Sequence, residues 1–133
     1  MHKNFKENVT RYWKSLDRIS GYTVPNETIF RLLVNKKFNY KNKNILDIGI
    51  GNGDNLLEFK RRGADIFGVD IRGKIINSFC KINKLPKKNF FTLDLNYEFP
   101  IIQKKLDLIN CKDIIYYIDL EKQFDFIMNC KNI

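Results

Sequence analysis

An acidic residue followed by three glycines at alternate positions, Leu46-Asp47-Ile48-Gly49-Ile50-Gly51-Asn52-Gly53, is the part of the chain best suited to chemistry. Glycine lets backbone come close to a bound molecule, because no Cβ intervenes. Asp47 adds a carboxylate where a ligand ammonium group would sit, rather than leaving the turn free for a pyrophosphate. Ile50 and Asn52 complete the turn and belong to the same candidate site. A nicotinamide or flavin fingerprint has the spacing G-x-G-x-x-G. Here the third glycine comes one residue too early for it.

Three more polar residues stand where apolar runs end. Asp70 closes Gly68-Val69-Asp70-Ile71, about 20 residues beyond the glycines, where a ribose-binding acid belongs in a strand-turn-helix nucleotide site. A carboxylate accepts from both vicinal hydroxyls and repels a 2′-phosphate. Asp94 follows Thr92-Leu93, and Asn110 follows Leu106-Asp107-Leu108-Ile109. Asp94 has an alternative role as the cap of the turn after it.

Positioning these residues requires a particular order of elements. Residues 3–19 carry Phe5, Val9, Tyr12 or Trp13, Leu16 and Ile19 at helical spacing. Residues 20–25 break the pattern, and Pro25 suits the first turn of a second helix with Ile29, Leu32 and Leu33 on its buried stripe. Strand one is predicted over 45–48 and its helix over 56–62, closed by Gly63. Strand two is predicted over 65–69, ending at Asp70, and its helix over 74–85, closed by Pro86. Strand three covers 89–93, ending at Asp94, and residues 95–105 form a loop. Strand four covers 106–109. A last helix over 120–129 carries Phe124, Ile127 and Met128. Strands alternating with helices imply a parallel sheet with right-handed crossovers. Such a sheet binds ligands beyond the carboxyl ends of its strands.

The glycine-rich segment resembles motif I of the class I S-adenosylmethionine (SAM) dependent methyltransferases: an apolar run, an acid, then Gly-x-Gly-x-Gly. The resemblance covers about residues 40–128 and implies a SAM-dependent methyltransferase. It implies an α/β, Rossmann-like parallel sheet of about four strands with flanking helices, behind two N-terminal helices. Residues 1–40 would be a helical lead-in or lid, with Trp13 and the 22–27 segment over the cofactor, and 41–133 the SAM-binding domain. By the same resemblance Asp70 binds the SAM ribose, and Ile71 packs on adenine. Asp94 and the Leu95 amide meet the adenine edge, and Asn110 lines the methionine end. Residues 106–118 resemble the family's motif IV region, without the Asn-Pro-Pro-Tyr of amino-methylating nucleic-acid enzymes or the Pro-Cys of cytosine C5 enzymes. Cys111 is therefore not read as a nucleophile. Tyr116 and Tyr117 are read as a buried aromatic stripe in preference to an acceptor pocket. No catalytic residue is assigned, and the acceptor is expected to be a small molecule. The alternatives are a non-catalytic SAM-binding fragment or split subunit, and, less favoured, an NAD-dependent dehydrogenase.

The family's sheet normally has about seven strands, and this chain reaches Ile133 after the fourth unit. A C-terminally truncated chain is the expected explanation. The others are a minimal SAM binder and a partner chain or self-association covering the strand-four edge.

Composition bounds the rest. One domain is expected of 133 residues that are 44% apolar. The net charge of +9 permits nucleic-acid binding. Its lysines and arginines are dispersed, however, and the abundance of Lys, Asn, Ile, Phe and Tyr matches an AT-rich coding bias, so a nucleic-acid partner is not favoured. Three scattered cysteines and a single histidine argue against a metal site and for reduced thiols. No membrane span or secretory signal is read, and a cytoplasmic location is expected.

Overall fold

The computed structural model describes residue 11, residues 27–35 and residues 37–133. Apart from Arg11, the helix predicted over 3–19 lies outside the described residues, as do Tyr22 and Pro25. Helix α1 (Glu27–Leu33) buries Ile29 and Leu33, four residues apart on one face. The Tyr40 hydroxyl donates to the Leu32 carbonyl at 2.8 Å. The same carbonyl accepts from the Asn35 amide at 3.1 Å, so both bonds close the helix end and fix where the chain turns toward the sheet.

Four strands follow: β1 (Asn44–Ile48), β2 (Asp65–Asp70), β3 (Phe90–Thr92) and β4 (Leu108–Asn110). They lie in the order β3-β2-β1-β4, and every pairing is parallel. Helices α2 (Asp54–Arg61) and α3 (Gly73–Asn83) connect the first three strands and cover one face, where Phe59, Phe79, Leu56 and Ile76 are buried with Ile45 and Ile66. The chain then crosses to the other side of β1. There Leu46, Ile48, Phe67 and Val69 form a second core with Ile118 and with Phe126 of helix α4 (Gln123–Lys131). β1 and β2 are thus covered on both faces, which explains their nearly continuous apolar sequences. The strand order reverses between β1 and β4. This is the switch point at which an open α/β sheet forms a crevice at its carboxyl edge.

Several boundaries differ from expectation for local reasons. Helix α3 stops at Asn83 rather than at residue 85, because Lys84 turns left-handed (φ 52) and the Leu85 amide bonds back to the Cys80 carbonyl at 2.9 Å. This left-handed close comes just ahead of Pro86, whose ring disfavours helical backbone in the residue before it. β3 is shorter than predicted, since Lys87–Asn89 form a 3-10 turn. β4 is displaced by about two residues. Asp107 sits at its start, where its carboxylate accepts from the Asn44 amide at 2.9 Å and from Lys43 Nζ at 2.9 Å. Asn110 consequently belongs to the strand rather than following it.

In this last segment one buried residue was not singled out from the sequence, and one expectation is corrected. Phe126 is the buried residue of α4, its ring edge-on to Phe99 at 5.9 Å, whereas Phe124 and Ile127 are exposed. A 3-10 turn at Leu120–Lys122 precedes the helix and rotates the face that meets the sheet. Tyr116 and Tyr117 lie on another 3-10 turn, Ile115–Tyr117, and are exposed rather than a buried stripe.

The glycine turn divides by packing. A Cβ on Gly53 (φ 82) would stand 2.0 Å from the Phe79 ring, which is itself fully buried against Phe90. A Cβ on Gly51 (φ 55) would meet nothing within 4 Å among the described residues. Gly53→Ala is therefore expected to cost about 3 kcal/mol or more, combining left-handed strain with overpacking. Gly51→Ala should cost only the left-handed term, about 1–2 kcal/mol. Urea unfolding of both variants measures the difference, and equal losses would refute this division.

Candidate functional site

β1 runs apolar to its last turn and still carries a carboxylate. In the parallel register Asp47 pairs with Gly68 on one side and with Asn110 on the other. Paired positions share a face, so the Asn110 amide reaches Asp47, and Nδ2 donates to Oδ1 at 2.6 Å. Asp47 is 1% exposed, and its Oδ2 is buried without a hydrogen-bond partner among the described residues. Burial pushes the carboxyl pKa up to about 7; the Asn110 hydrogen bond opposes the rise and the nearby Asp70 charge adds to it. A desolvated carboxylate with an unused oxygen is a group that gains from a cation.

The glycine turn closes over β2. The Gly49 and Ile50 amides both donate to the Val69 carbonyl, at 2.8 and 3.2 Å, and Gly53 donates to Ile50 at 2.7 Å. Ile50 is buried, with its side chain against Gly68; a Cβ there would lie 2.6 Å from Ile50 Cγ2. Ile50 therefore offers the site backbone, not side chain. Gly49 is crowded by Ile114 of the segment after β4, as Gly53 is by Phe79. Gly51 alone of the three faces open space among the described residues, and Asn52 beside it is half-buried.

Asp70 ends β2 and receives four hydrogen bonds. Oδ1 accepts from the Arg72 amide and from Arg72 Nε, both at 2.9 Å. Oδ2 accepts from a terminal guanidinium nitrogen of Arg72 at 2.9 Å and from the Gly51 amide at 3.2 Å. Asp70 thus ties the tip of the glycine turn to the start of α3. Ile71 is half-buried beside it.

Asp94 lies two residues past β3 and is used in its own turn. Oδ1 accepts from the Asn96 amide at 3.1 Å and from Asn96 Nδ2 at 3.2 Å, and its carbonyl accepts from the Tyr97 and Glu98 amides. The capping role accounts for these contacts. Leu95 is half-buried against the second core. Asp47 and Asn110 thus form one contacting pair and Asp70 and Gly51 another, the two carboxylates near enough for the Asp70 charge to act on Asp47, while Asp94 and Leu95 stand on the adjoining loop.

Two residues escaped sequence reasoning. Arg72 forks onto Asp70. Asn96 joins the loop after β3 to the segment after β4: Nδ2 also donates to the Tyr117 carbonyl at 3.1 Å, and Oδ1 accepts from the Asp119 amide at 2.7 Å. Arg72 had a weak signal in its place two residues after a strand-end acid. Asn96 had none for this bridging role, since Tyr117 and Asp119 lie 21 and 23 residues away. The Cys111 thiol is pushed up to about 12, first by burial and then by Cys130 and Asp47. It stays protonated at neutral pH and is a poor nucleophile.

These features can be compared with known proteins. No curated protein matches the sequence. Among solved structures, the chain is similar to the magnesium protoporphyrin IX methyltransferase of Synechocystis PCC 6803 with bound SAM. The identity is 22% and the TM-score 0.65, over 92% of this chain and 68% of that one. It is similar to the same enzyme with bound SAH at 21% identity and a TM-score of 0.63, over 92% and 64% of the two chains. The chain therefore spans about two thirds of the length of these structures. The likeness establishes the Rossmann-like fold. The methyltransferase domain family matches residues 45–133, from the first buried residue of β1 through α4 and the glycine turn between them. The chain belongs to the methyltransferase domain family.

Proposed function

We propose that this chain binds SAM across the carboxyl ends of β1, β2 and β4 and transfers its methyl group to a small-molecule acceptor. One observation carries the reading: Asp47 Oδ2 is buried with no hydrogen-bond partner among the described residues, on the strand that leads directly into the glycine turn. The residues fit SAM, whose amino-acid end bears an ammonium group and whose nucleoside end bears two vicinal hydroxyls. In this reading Asp47 holds the ammonium and Asn110 keeps the carboxylate oriented. Gly51 leaves room for the methionine chain, with Gly49, Asn52 and Gly53 shaping the turn. Asp70 accepts from the ribose hydroxyls, Ile71 packs on adenine, and Asp94 with the Leu95 amide meets its edge.

Bound SAM supplies an electrophilic methyl group, so the chain needs to position an acceptor and exclude water rather than provide a nucleophile. A small-molecule acceptor is in keeping with the solved relatives, which are named for a porphyrin substrate. Residues 1–40 are proposed as a cover for the site, anchored by Ile29 and Leu33 of α1 in the main core, and 41–133 as the SAM-binding domain. No helix among the described residues is long and apolar enough to cross a membrane. A cytoplasmic location is proposed with it.

Calorimetric titration with SAM, SAH and NAD tests the assignment. SAM and SAH are expected to bind, and tighter binding of NAD would overturn it. The Asp47 carboxylate adds a pH signature. Its pKa rises from 3.8 to about 7 on folding. The folded chain thus binds the extra proton between those values, and its stability falls as pH rises through that window. An ammonium ligand requires the ionised form, so SAH affinity should increase about tenfold between about pH 6 and pH 8, following the ionised fraction. Asp47→Asn should flatten this profile. A flat profile in the wild type would remove Asp47 from the ligand.

Gly51→Asn gives an independent check. Asparagine tolerates the left-handed backbone, so stability should change by no more than about 1 kcal/mol. Its side chain enters the open face, and SAH affinity should drop at least about tenfold, or 1.4 kcal/mol. Undiminished affinity would place the ligand elsewhere.

A further inference from the structure

The Asp70 carboxylate, assigned above to the ribose, is engaged by the chain itself. The Arg72 guanidinium reaches both of its oxygens, Nε on Oδ1 and a terminal nitrogen on Oδ2, each at 2.9 Å. The two side chains are 10% and 5% exposed. With the Arg72 and Gly51 amides added, both oxygens receive two donors each. A carboxylate has about four lone-pair sites, and here they are filled. Ribose hydroxyls reach Asp70 only by displacing donors.

The donors differ in how readily they leave. The Arg72 amide belongs to the turn into α3, and the Gly51 amide to the glycine turn; both are held by backbone. The guanidinium pair sits on a side chain and can leave by rotation about that side chain's own torsions. It is also a chemical counterpart of a vicinal diol: two donors, side by side, aimed at the two oxygens of one carboxylate. Nor is it needed to start the helix. Arg72 is the N-cap residue of α3, yet its side chain makes no capping bond, and the helix begins through its carbonyl, which accepts from the Ile76 amide at 3.2 Å.

We propose that Arg72 is a built-in competitor for the ribose diol, occupying Asp70 in the free protein and swinging out when ligand binds. The exchange keeps Asp70 satisfied in both states, so the buried carboxylate is never left bare. Apparent affinity is then the intrinsic affinity reduced by the fraction of molecules in which Arg72 is already displaced. Arg72 is thereby a residue that sets the affinity for nucleoside-bearing ligands through Asp70. The inference rests on the ribose assignment of the preceding subsection.

The test titrates SAH and its 2′,3′-dideoxy analogue into the wild type, Arg72→Met and Arg72→Lys. If the displaced form is about one tenth of the wild type, Arg72→Met should tighten SAH about tenfold. The dideoxy analogue should change by less than about twofold, since it does not use the vacated positions. Arg72→Lys keeps the charge but loses the fork; it should tighten SAH by a smaller factor, and it decides the matter if Arg72→Met does not fold. The wild-type Arg72 Nε–H resonance should be protected from solvent exchange in the free protein and lose protection at saturation with SAH. SAH binding by the wild type with no tightening in either folded variant would overturn this inference alone, as would equal gains for SAH and the dideoxy analogue. No SAH binding by the wild type or the variants would overturn the SAM-site assignment together with it.

Discussion

Burial of the Asp47 carboxylate at the end of the central strand is the constraint around which the carboxyl edge is arranged. An isolated ionised carboxylate in an apolar interior is costly, by several kcal/mol even after relaxation. Asn110 offsets part of that cost through one oxygen, and burial still holds the group near a pKa of about 7. The offset exists only because β4 lies beside β1 in a register that sets Asn110 opposite Asp47. That register depends in turn on Asp107, which pins the start of β4 to Asn44 and Lys43. A slip of one residue would send the Asn110 side chain to the other face of the sheet.

The glycine turn divides its work among like residues. Gly49 and Gly53 are required by the protein's own packing, against Ile114 and Phe79. Among the described residues Gly51 is required by nothing except its left-handed backbone, so its lack of a side chain matters to whatever enters the turn. The Gly51 amide is nonetheless held, by Asp70. The cradle and the nucleoside end of the proposed site are therefore mechanically joined through one carboxylate, and a change at Arg72 or Asp70 bears on both.

The two faces of the sheet are covered unequally. On the α2 and α3 side the core residues are nearly all fully buried, and Phe59, Phe79 and Leu56 alone account for several kcal/mol of hydrophobic stabilisation at about 1.5–3 kcal/mol each. The opposite face is roofed by 3-10 turns, an irregular return loop and α4, and many of its apolar residues are only half-buried. Asn96 compensates by tying that roof together with hydrogen bonds to residues 117 and 119. The residues that meet the ligand in the proposed function lie where this looser face borders the rigid one.

The amino-acid sequence alone determined the alternation of strands and helices, the parallel sheet, and the place of Asp47, Asp70 and the glycines at its carboxyl edge. Each of these is written in local order: apolar runs the length of a strand, a glycine at every second position, an acid at the end of a run. Family membership was legible for the same reason, since the motif is contiguous. Only the tertiary structure decided that Asp47 and Asn110 touch, because they lie 63 residues apart and meet through strand register. It also decided that Arg72 lies on Asp70, that Asp94 is engaged in its own turn, and that Phe126 rather than Phe124 enters the core. For Asn110 and Phe126 the outcome depends on which face a neighbouring element presents, and a 3-10 turn or a shifted strand start changes that face without leaving a periodic trace in the sequence; for Arg72 and Asp94 it depends on the conformation of a turn two residues long.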